Sequence, residues 1–263
     1  MRNVMGGYGD HFREFLEPTS GSSTIMVDGR SQDADTGELL FSKSTPLGEL
    51  ASAREIGAYK DLEHERTCVL LPDALVVIDR SVSDASHTCD WLHHTDKMTG
   101  LAFAAGPVDK REIESLGDTV CYPVFLPATE LTLDGPTALV RYARANKSGA
   151  AVVFATLDED AAQLIRARNG TTLIARKHGD TVRFACVMQP LAVDEKPTAT
   201  IEPVALVDAK TGRAVGLDRA QAYRVSTPAG ARLVMVNYTD QPVRSATASA
   251  VTATERVTLV ETK

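Results

Sequence analysis

The sequence predicts an all-β protein: a large antiparallel β-sandwich followed by a small C-terminal β unit. Short runs rich in Val, Ile, Thr, Ala and Tyr recur along the 263 residues, separated by turn residues such as Asp28-Gly29 and Gly179-Asp180. Only one segment, 158–167 (DEDAAQLIRA), carries a helical pattern, with acids at its start and Arg166 and Arg168 at its end. Hydrophobic residues make up 43% of the chain, an ordinary share for a protein that buries a core.

Taken in order, residues 1–22 are rich in glycine and aromatics (Gly6, Gly7, Tyr8, Gly9, Phe12, Phe15) and follow neither a helical nor a strand period. They read as a lead-in that packs on another domain or subunit. Strands are then expected near 23–28, 38–43, 50–59 and 65–71. Residues 74–79 and 86–95 are expected to pair as a hairpin around the polar turn 80–85. Further strands fit 101–105, 119–127, 129–133, 138–145 and 150–157, and after the helix a second hairpin fits 171–177 with 180–188. Residues 191–200, flanked by Pro190 and containing Pro197, look like a linker between a sandwich over 23–195 and a β unit over 201–263. In that unit, strands fit 203–208, 222–227, 231–238, 243–250 and 255–261.

Charge narrows the partners. The formal net charge is −7 and no Lys/Arg cluster is present to neutralise phosphates, which argues against nucleic acid. No run of about 18 apolar residues spans a membrane, and the first residues lack an apolar signal core. The expected location is therefore the cytoplasm, or the periplasm or exterior where this stretch belongs to a longer secreted chain. Cys68, Cys89, Cys121 and Cys186 are widely spaced, and three lie in apolar runs, as expected of buried thiols.

The richest polar constellation is Val76-Val-Ile-Asp79 followed by His87-Thr-Cys-Asp-Trp-Leu-His-His94. Alternation along a strand puts His87, Cys89, Trp91 and His93 on one face. Pairing around the 80–85 turn would bring Asp79 beside His87. Asp79, His87 and His93 are thus candidate ligands of a structural divalent metal, zinc or calcium; the alternative is a charge-assisted hydrogen bond near a sheet edge. A second group is Tyr59 with His64-Glu-Arg66, at the ends of two strands where a cleft can reach them. A phenol can move a proton and a guanidinium can neutralise a carboxylate; the alternative is an edge tyrosine beside a solvated charged turn.

Several stretches together resemble the β-sandwich half of the heparinase II/III-like polysaccharide lyases. That family carries an aromatic, glycine-containing lead-in and then His-Asn-Thr-Val-x-Val-Asp-Gly, often followed by Gln; here the matching residues are Ser22-Ser-Thr-Ile-Met-Val-Asp-Gly29 and Gln32. A tyrosine strand running into x-His-x-Arg is matched by Tyr59 and His64-Glu-Arg66, a strand ending in Asp by Leu75-Val-Val-Ile-Asp79, and a histidine strand by His87, Trp91 and His93. The resemblance implies β-elimination at a uronate of an acidic polysaccharide, with no cofactor required for the chemistry and a structural metal in some members. It implies Tyr59, Arg66 and Ser22 as the catalytic positions and Tyr8, His11, Gln32 and His64 as substrate contacts. It also implies a helical α/α-toroid partner, since no tract of repeated amphipathic helices precedes residue 20. Ser22 stands where the family has its histidine and Ser23 where it has asparagine. A serine hydroxyl does not act as an imidazole base without an activating partner, so a non-catalytic carbohydrate-binding or structural module is the second reading.

Overall fold

A computed structural model of the chain describes residues 19–94, 101–103, 109–119, 121–132, 137–143, 148–155, 163–167, 172–246 and 251–262. It is almost entirely β, as the alternating runs predict. The first twelve strands are β1 (Ile25–Val27), β2 (Glu38–Thr45), β3 (Gly48–Tyr59), β4 (Leu62–Leu70), β5 (Leu75–His94), β6 (Leu101–Phe103), β7 (Asp109–Ile113), β8 (Ala128–Thr132), β9 (Thr137–Ala143), β10 (Gly149–Ala155), β11 (Gln163–Ala167) and β12 (Thr172–Leu191). They form one hydrogen-bonded antiparallel sheet in the order β2-β3-β4-β5-β12-β10-β9-β6. β1 adds to β5, and β11, β8 and β7 continue from β12.

This sheet is folded into two layers by its two longest strands. β5 and β12 run 20 residues each and pair with one another along their length. Residues 75–83 of β5 also pair with β4, whereas residues 89–91 pair with β1. Between these halves β5 carries Ser83 to Ser86 where β12 has only Asp180. That bulge is where the strand turns over. The Trp91 Nε1–H donates to Asp79 Oδ2 at 2.9 Å, although twelve residues of straight strand would part them by about 40 Å. The two halves of β5 therefore face each other across the core.

The sequence-based hairpins at 74–95 and 171–188 are corrected accordingly. Their turn residues do reverse the chain, but the arms lie in different layers and pair with other strands, not with each other. The helix expected over 158–167 is corrected over its described part: 163–167 is β11, held between β12 and β8, and 158–162 lie outside the described residues. Leu164 and Ile165 are both fully buried, because one faces the layer interior and the other the opposite surface. A strand with two covered faces loses the alternation that marks strands and mimics a helix. Of the expected strand over 119–127, residues 121–127 are instead a loop with a 3₁₀ turn at Pro123–Phe125.

Burial follows the pleat. Val77, Phe154, Phe184 and Cys186 of one layer meet Ile25, Cys89, Trp91 and Leu173 of the other. On the outer face of the second layer, Met26, Leu92, Ile165 and Ile174 pack under Leu116, Tyr122 and Phe125. All four cysteines are free thiols, and burial pushes Cys89 up to about 12, so these thiols serve as small apolar groups.

The outer face of the first layer is covered by the C-terminal strands β13 (Thr200–Pro203), β14 (Leu206–Asp208), β15 (Ala220–Thr227), β16 (Gly230–Asn237), β17 (Val243–Ser245), β18 (Thr252–Ala253) and β19 (Val257–Glu261). Among them β13-β15-β16-β19 form one sheet and β14-β17-β18 another. Val76, Ile78 and Val187 of the sandwich pack against Ile201, Tyr223, Val234 and Val257. The carboxylate of Glu65, 1% exposed, accepts from Arg256 Nε at 2.9 Å and from Ser52 Oγ at 2.8 Å, tying β4 to the C-terminal strands. Removing one partner of a buried pair strands the other charge. Arg256→Met is therefore expected to cost about 3 kcal/mol in urea unfolding, and a loss under about 1 kcal/mol would show that solvent reaches Glu65 in the folded state.

Candidate functional site

The motif segment that begins at Ser20 lies along the edge of the second layer. β1 pairs with β5 so that Ile25 faces Trp91 and Val27 faces Cys89. Asp28 and Gly29 follow with φ of 49° and 62°, and Arg30 N–H closes the turn on Val27 O at 2.9 Å. Two successive positive φ values give the tight turn that the Asp-Gly pair predicts. A Cβ on Gly29 would lie 2.0 Å from Thr119 Oγ1, so only glycine fits there.

Beside this segment, three polar side chains close on one carboxylate through four hydrogen bonds. Asp79 is fully buried. Its Oδ1 accepts from His64 Nε2 and Arg66 Nε, both at 2.8 Å, and its Oδ2 from Arg66 Nη2 at 3.0 Å and Trp91 Nε1 at 2.9 Å. Burial alone would raise the Asp79 carboxyl, but the Arg66 guanidinium, helped by His64, outweighs it and holds the group well below the usual carboxylate range. Arg66 then reaches across the layers: its Nη1–H donates to Ser23 O at 2.8 Å. The guanidinium side chain keeps about a quarter of its surface exposed, 26%, with two of its N–H hydrogens outside these bonds.

His93 stacks on Trp91 with ring centroids 5.7 Å apart. Burial, with the nearby Arg66 charge adding to it, lowers His93 to about 4, so the ring is neutral at ordinary pH. Ser22 and Ser23 are exposed at the rim, and Ser23 Oγ accepts from His94 N–H at 3.2 Å. The result is a rim that offers hydroxyls, a neutral imidazole and a guanidinium edge.

The other expected positions fall elsewhere. Tyr59 is 7% exposed and its hydroxyl lies 3.1 Å from Ile25 O and 3.3 Å from Arg30 O. Burial holds its phenol well above the ordinary tyrosine range. Through these contacts Tyr59 fastens β3 to the motif turn. Gln32 also ties the segment back, through its N–H to Thr19 Oγ1 at 2.6 Å and its Nε2 to Glu55 at 3.2 Å. His64 serves Asp79 and is 8% exposed. Tyr8 and His11 lie outside the described residues.

The proposed metal trio is not gathered. Asp79 is taken up by Arg66, His64 and Trp91, and His87 bonds Asp28 and Ser83 instead. The reason is the bent strand: Asp79 and His87 lie on either side of a corner, not across a hairpin. Among the described residues no group of three or more His, Cys, Asp or Glu is spaced to hold a metal ion. Sequence reasoning missed the second buried pair too. Asp90 is fully buried and takes Arg176 Nε at 2.7 Å and Nη2 at 2.9 Å, while Arg176 Nη1 donates to Leu116 O at 3.0 Å. Asp90 and Arg176 are cross-strand neighbours, a signal available only once β5 and β12 are known to pair.

Asp79→Ala leaves Arg66, His64 and Trp91 without their acceptor, and is expected to cost about 3–5 kcal/mol in urea unfolding. The apolar double variant Arg66→Met/Asp79→Leu is expected to recover at least half of that loss; a single variant as stable as the parent would contradict a buried cluster. His93 supplies a pH test. Its folded value near 4 lies below the ordinary 6.5, so as pH falls through 6.5 the unfolded chain takes the proton first. Stability is then expected to fall by up to about 3 kcal/mol between pH 6.5 and 4. Thermal melts of His93→Phe across that range should show a correspondingly smaller slope, and an unchanged slope would place the proton elsewhere.

Comparison with known proteins yields a likeness of fold. No family model matches the chain, and no curated protein matches it. Among solved structures, heparinase III superposes with a TM-score of 0.51 at 15% identity, covering 88% of this chain and 32% of that one. Heparan sulfate lyase HepC from Pedobacter heparinus does so with a TM-score of 0.51 at 14% identity, covering 89% of this chain and 33% of that one. This chain thus spans about a third of the length of the lyases it is similar to, and what it shares with them is a polysaccharide-lyase-like β-sandwich fold.

Proposed function

We propose that the chain is the β-sandwich portion of a polysaccharide lyase that cleaves a uronate-containing glycan by β-elimination, completed by a helical toroid in another domain or subunit. The observation that carries this reading is convergence. Ser23, His64, Arg66, Asp79 and Trp91 come from stretches up to about 70 residues apart, and they join in one hydrogen-bonded cluster. In such an elimination a base removes the C5 proton, an acid protonates the leaving O4, and a polar group offsets the enolate charge on the uronate carboxylate. Here Arg66 supplies the last of these, presenting its outer N–H hydrogens while Asp79 fixes its plane, and the neutral His93 sits beside it. With Ser22 at the family's imidazole position and the Tyr59 hydroxyl turned onto backbone carbonyls, the proton-transfer groups come from the toroid part. Heparan sulfate is the first substrate to test, because the similar structures are lyases named for it.

A second reading has its own support. The same buried Tyr59 and the same serine suit a module that holds an acidic glycan without cleaving it. A divalent metal on Asp79, His87 and His93 has no support from their placement and forms no part of either reading.

Elimination creates a C4–C5 double bond that absorbs in the ultraviolet. The chain, together with any helical region encoded beside it, is expected to raise absorbance on heparan sulfate, and Arg66→Lys to lower the rate at least about 10-fold by losing the fork geometry. Retention on immobilised heparan sulfate with no absorbance change on heparan sulfate, alginate, chondroitin or hyaluronan would select the binding module. Neither retention nor elimination on any of the four would remove both readings.

A further inference from the structure

At the corner where β5 turns over, the chain builds a three-residue relay away from the Arg66 cluster. His87 Nδ1 lies 2.7 Å from Asp28 Oδ2 and His87 Nε2 lies 3.1 Å from Ser83 Oγ. A ring that donates from Nδ1 to the carboxylate has Nε2 placed to accept from the serine hydroxyl. Each member is held from behind. Asp28 Oδ1 accepts the Thr88 N–H at 2.9 Å, leaving Oδ2 for the imidazole. Ser83 Oγ accepts the Ala85 N–H at 3.3 Å, which leaves its own hydrogen for His87.

We propose that Ser83, His87 and Asp28 form a nucleophile, base and orienting carboxylate for acyl transfer from small acyl esters, an activity separate from glycan elimination. The order of contacts is the one a serine nucleophile needs, hydroxyl to imidazole to carboxylate, with both bonds inside hydrogen-bond range. The backbone is consistent with a built site. Asp28 sits at a positive φ of 49° in the tight Asp28-Gly29 turn, which sets its carboxylate against His87 and the Thr88 N–H. Ser83 opens the bulge of β5, and bulges re-aim side chains beside reactive sites. The corner is also open. The His87 and Asp28 side chains are 19% and 42% exposed, and Asp84, Ala85 and Ser86 are exposed, which suits a small acyl group such as acetyl carried on a larger alcohol. Asp79 lies four residues back along the strand, about 13 Å away, so the two sites do not share groups.

The step balances with water as the second substrate. Ser83 Oγ attacks the acyl carbon as its proton passes to His87 Nε2. The C–O bond to the alcohol breaks, and His87 returns that proton to the leaving oxygen. Water then attacks the acyl-serine, its proton goes to His87 and from there to Ser83 Oγ, and the free acid departs.

A fluorophosphonate probe tests the arrangement on the intact chain, because an activated serine displaces its fluoride and keeps the phosphonyl mass. The adduct is expected on the Ser83 peptide, absent from Ser83→Ala, and formed at least about 100-fold more slowly by His87→Gln; p-nitrophenyl acetate hydrolysis should fall in parallel. Where His87→Gln does not give a folded protein by circular dichroism, Asp28→Asn supplies the rate comparison. No adduct on the parent, an adduct that persists in Ser83→Ala, or an unchanged rate in the folded His87 or Asp28 variant would each overturn the proposal and leave the three residues as a clip on the strand corner.

Discussion

The buried Asp79 carboxylate is the constraint on which the rest of the sandwich depends. A lone charge at 0% exposure is prohibitively costly, yet this one has an N–H donor at each lone-pair direction, from His64, Arg66 and Trp91. Two of these residues belong to the neighbouring strand of the same layer, and the third to the opposite layer. Satisfying Asp79 therefore sets the register of β4 on β5, and it also sets how far β5 must turn before Trp91 can reach back. Apolar packing between the layers drives the closure, but it is tolerant of small slips. A four-donor carboxylate is not tolerant, and it selects one closure among many.

The same device recurs on each surface of the folded sheet. Asp90 with Arg176 clips Leu116 over the second layer, and Glu65 with Arg256 clips the C-terminal strands over the first. Each pair sits among apolar neighbours at a junction between layers. Such pairs specify position more than they add stability, since hydrophobic residues of like volume would hold the layers about as well. The arrangement also explains why the site proposed for a glycan lies at the rim. Arg66 is the one member of the Asp79 cluster that links the buried carboxylate to the Ser22–Ser23 edge, so the cluster sets the orientation of an exposed donor from inside the core. The Ser83–His87–Asp28 relay uses the other consequence of the fold, the strand corner, where backbone is free to leave the ladder.

Some of this was legible beforehand. The strands near 65–71 and 74–79 and the residues His64, Arg66 and Asp79 stand out in the sequence, whereas the pairing of Arg66 with Asp79 comes from the register of β4 on β5. The Asp28-Gly29 turn was read from two residues, because positive φ is a local preference. The metal trio is not assembled because the arms on either side of the polar turn at 80–85 pair with other strands, not with each other. Turn residues report that a chain reverses, and they do not report whether the reversal stays within a sheet or crosses between layers. Over 163–167 the helical pattern belongs to a strand for a related reason, since Leu164 and Ile165 of β11 are both buried by different cores.

The amino-acid sequence by itself determined the β class, most strand positions, the tight turn in the motif segment and the candidate residues Arg66, Asp79 and His87. These rest on period-two alternation and on φ preferences, which are properties of neighbours along the chain. The tertiary structure decided which of those residues meet. It gave Asp79 to Arg66, His64 and Trp91, turned Tyr59 onto backbone carbonyls, and sent His87 to Asp28 and Ser83. Those pairings depend on two 20-residue strands bending at a shared corner. That bend is set by the closing of apolar layers and by the demand that every buried charge find its donors, and neither is a property of any short stretch of sequence.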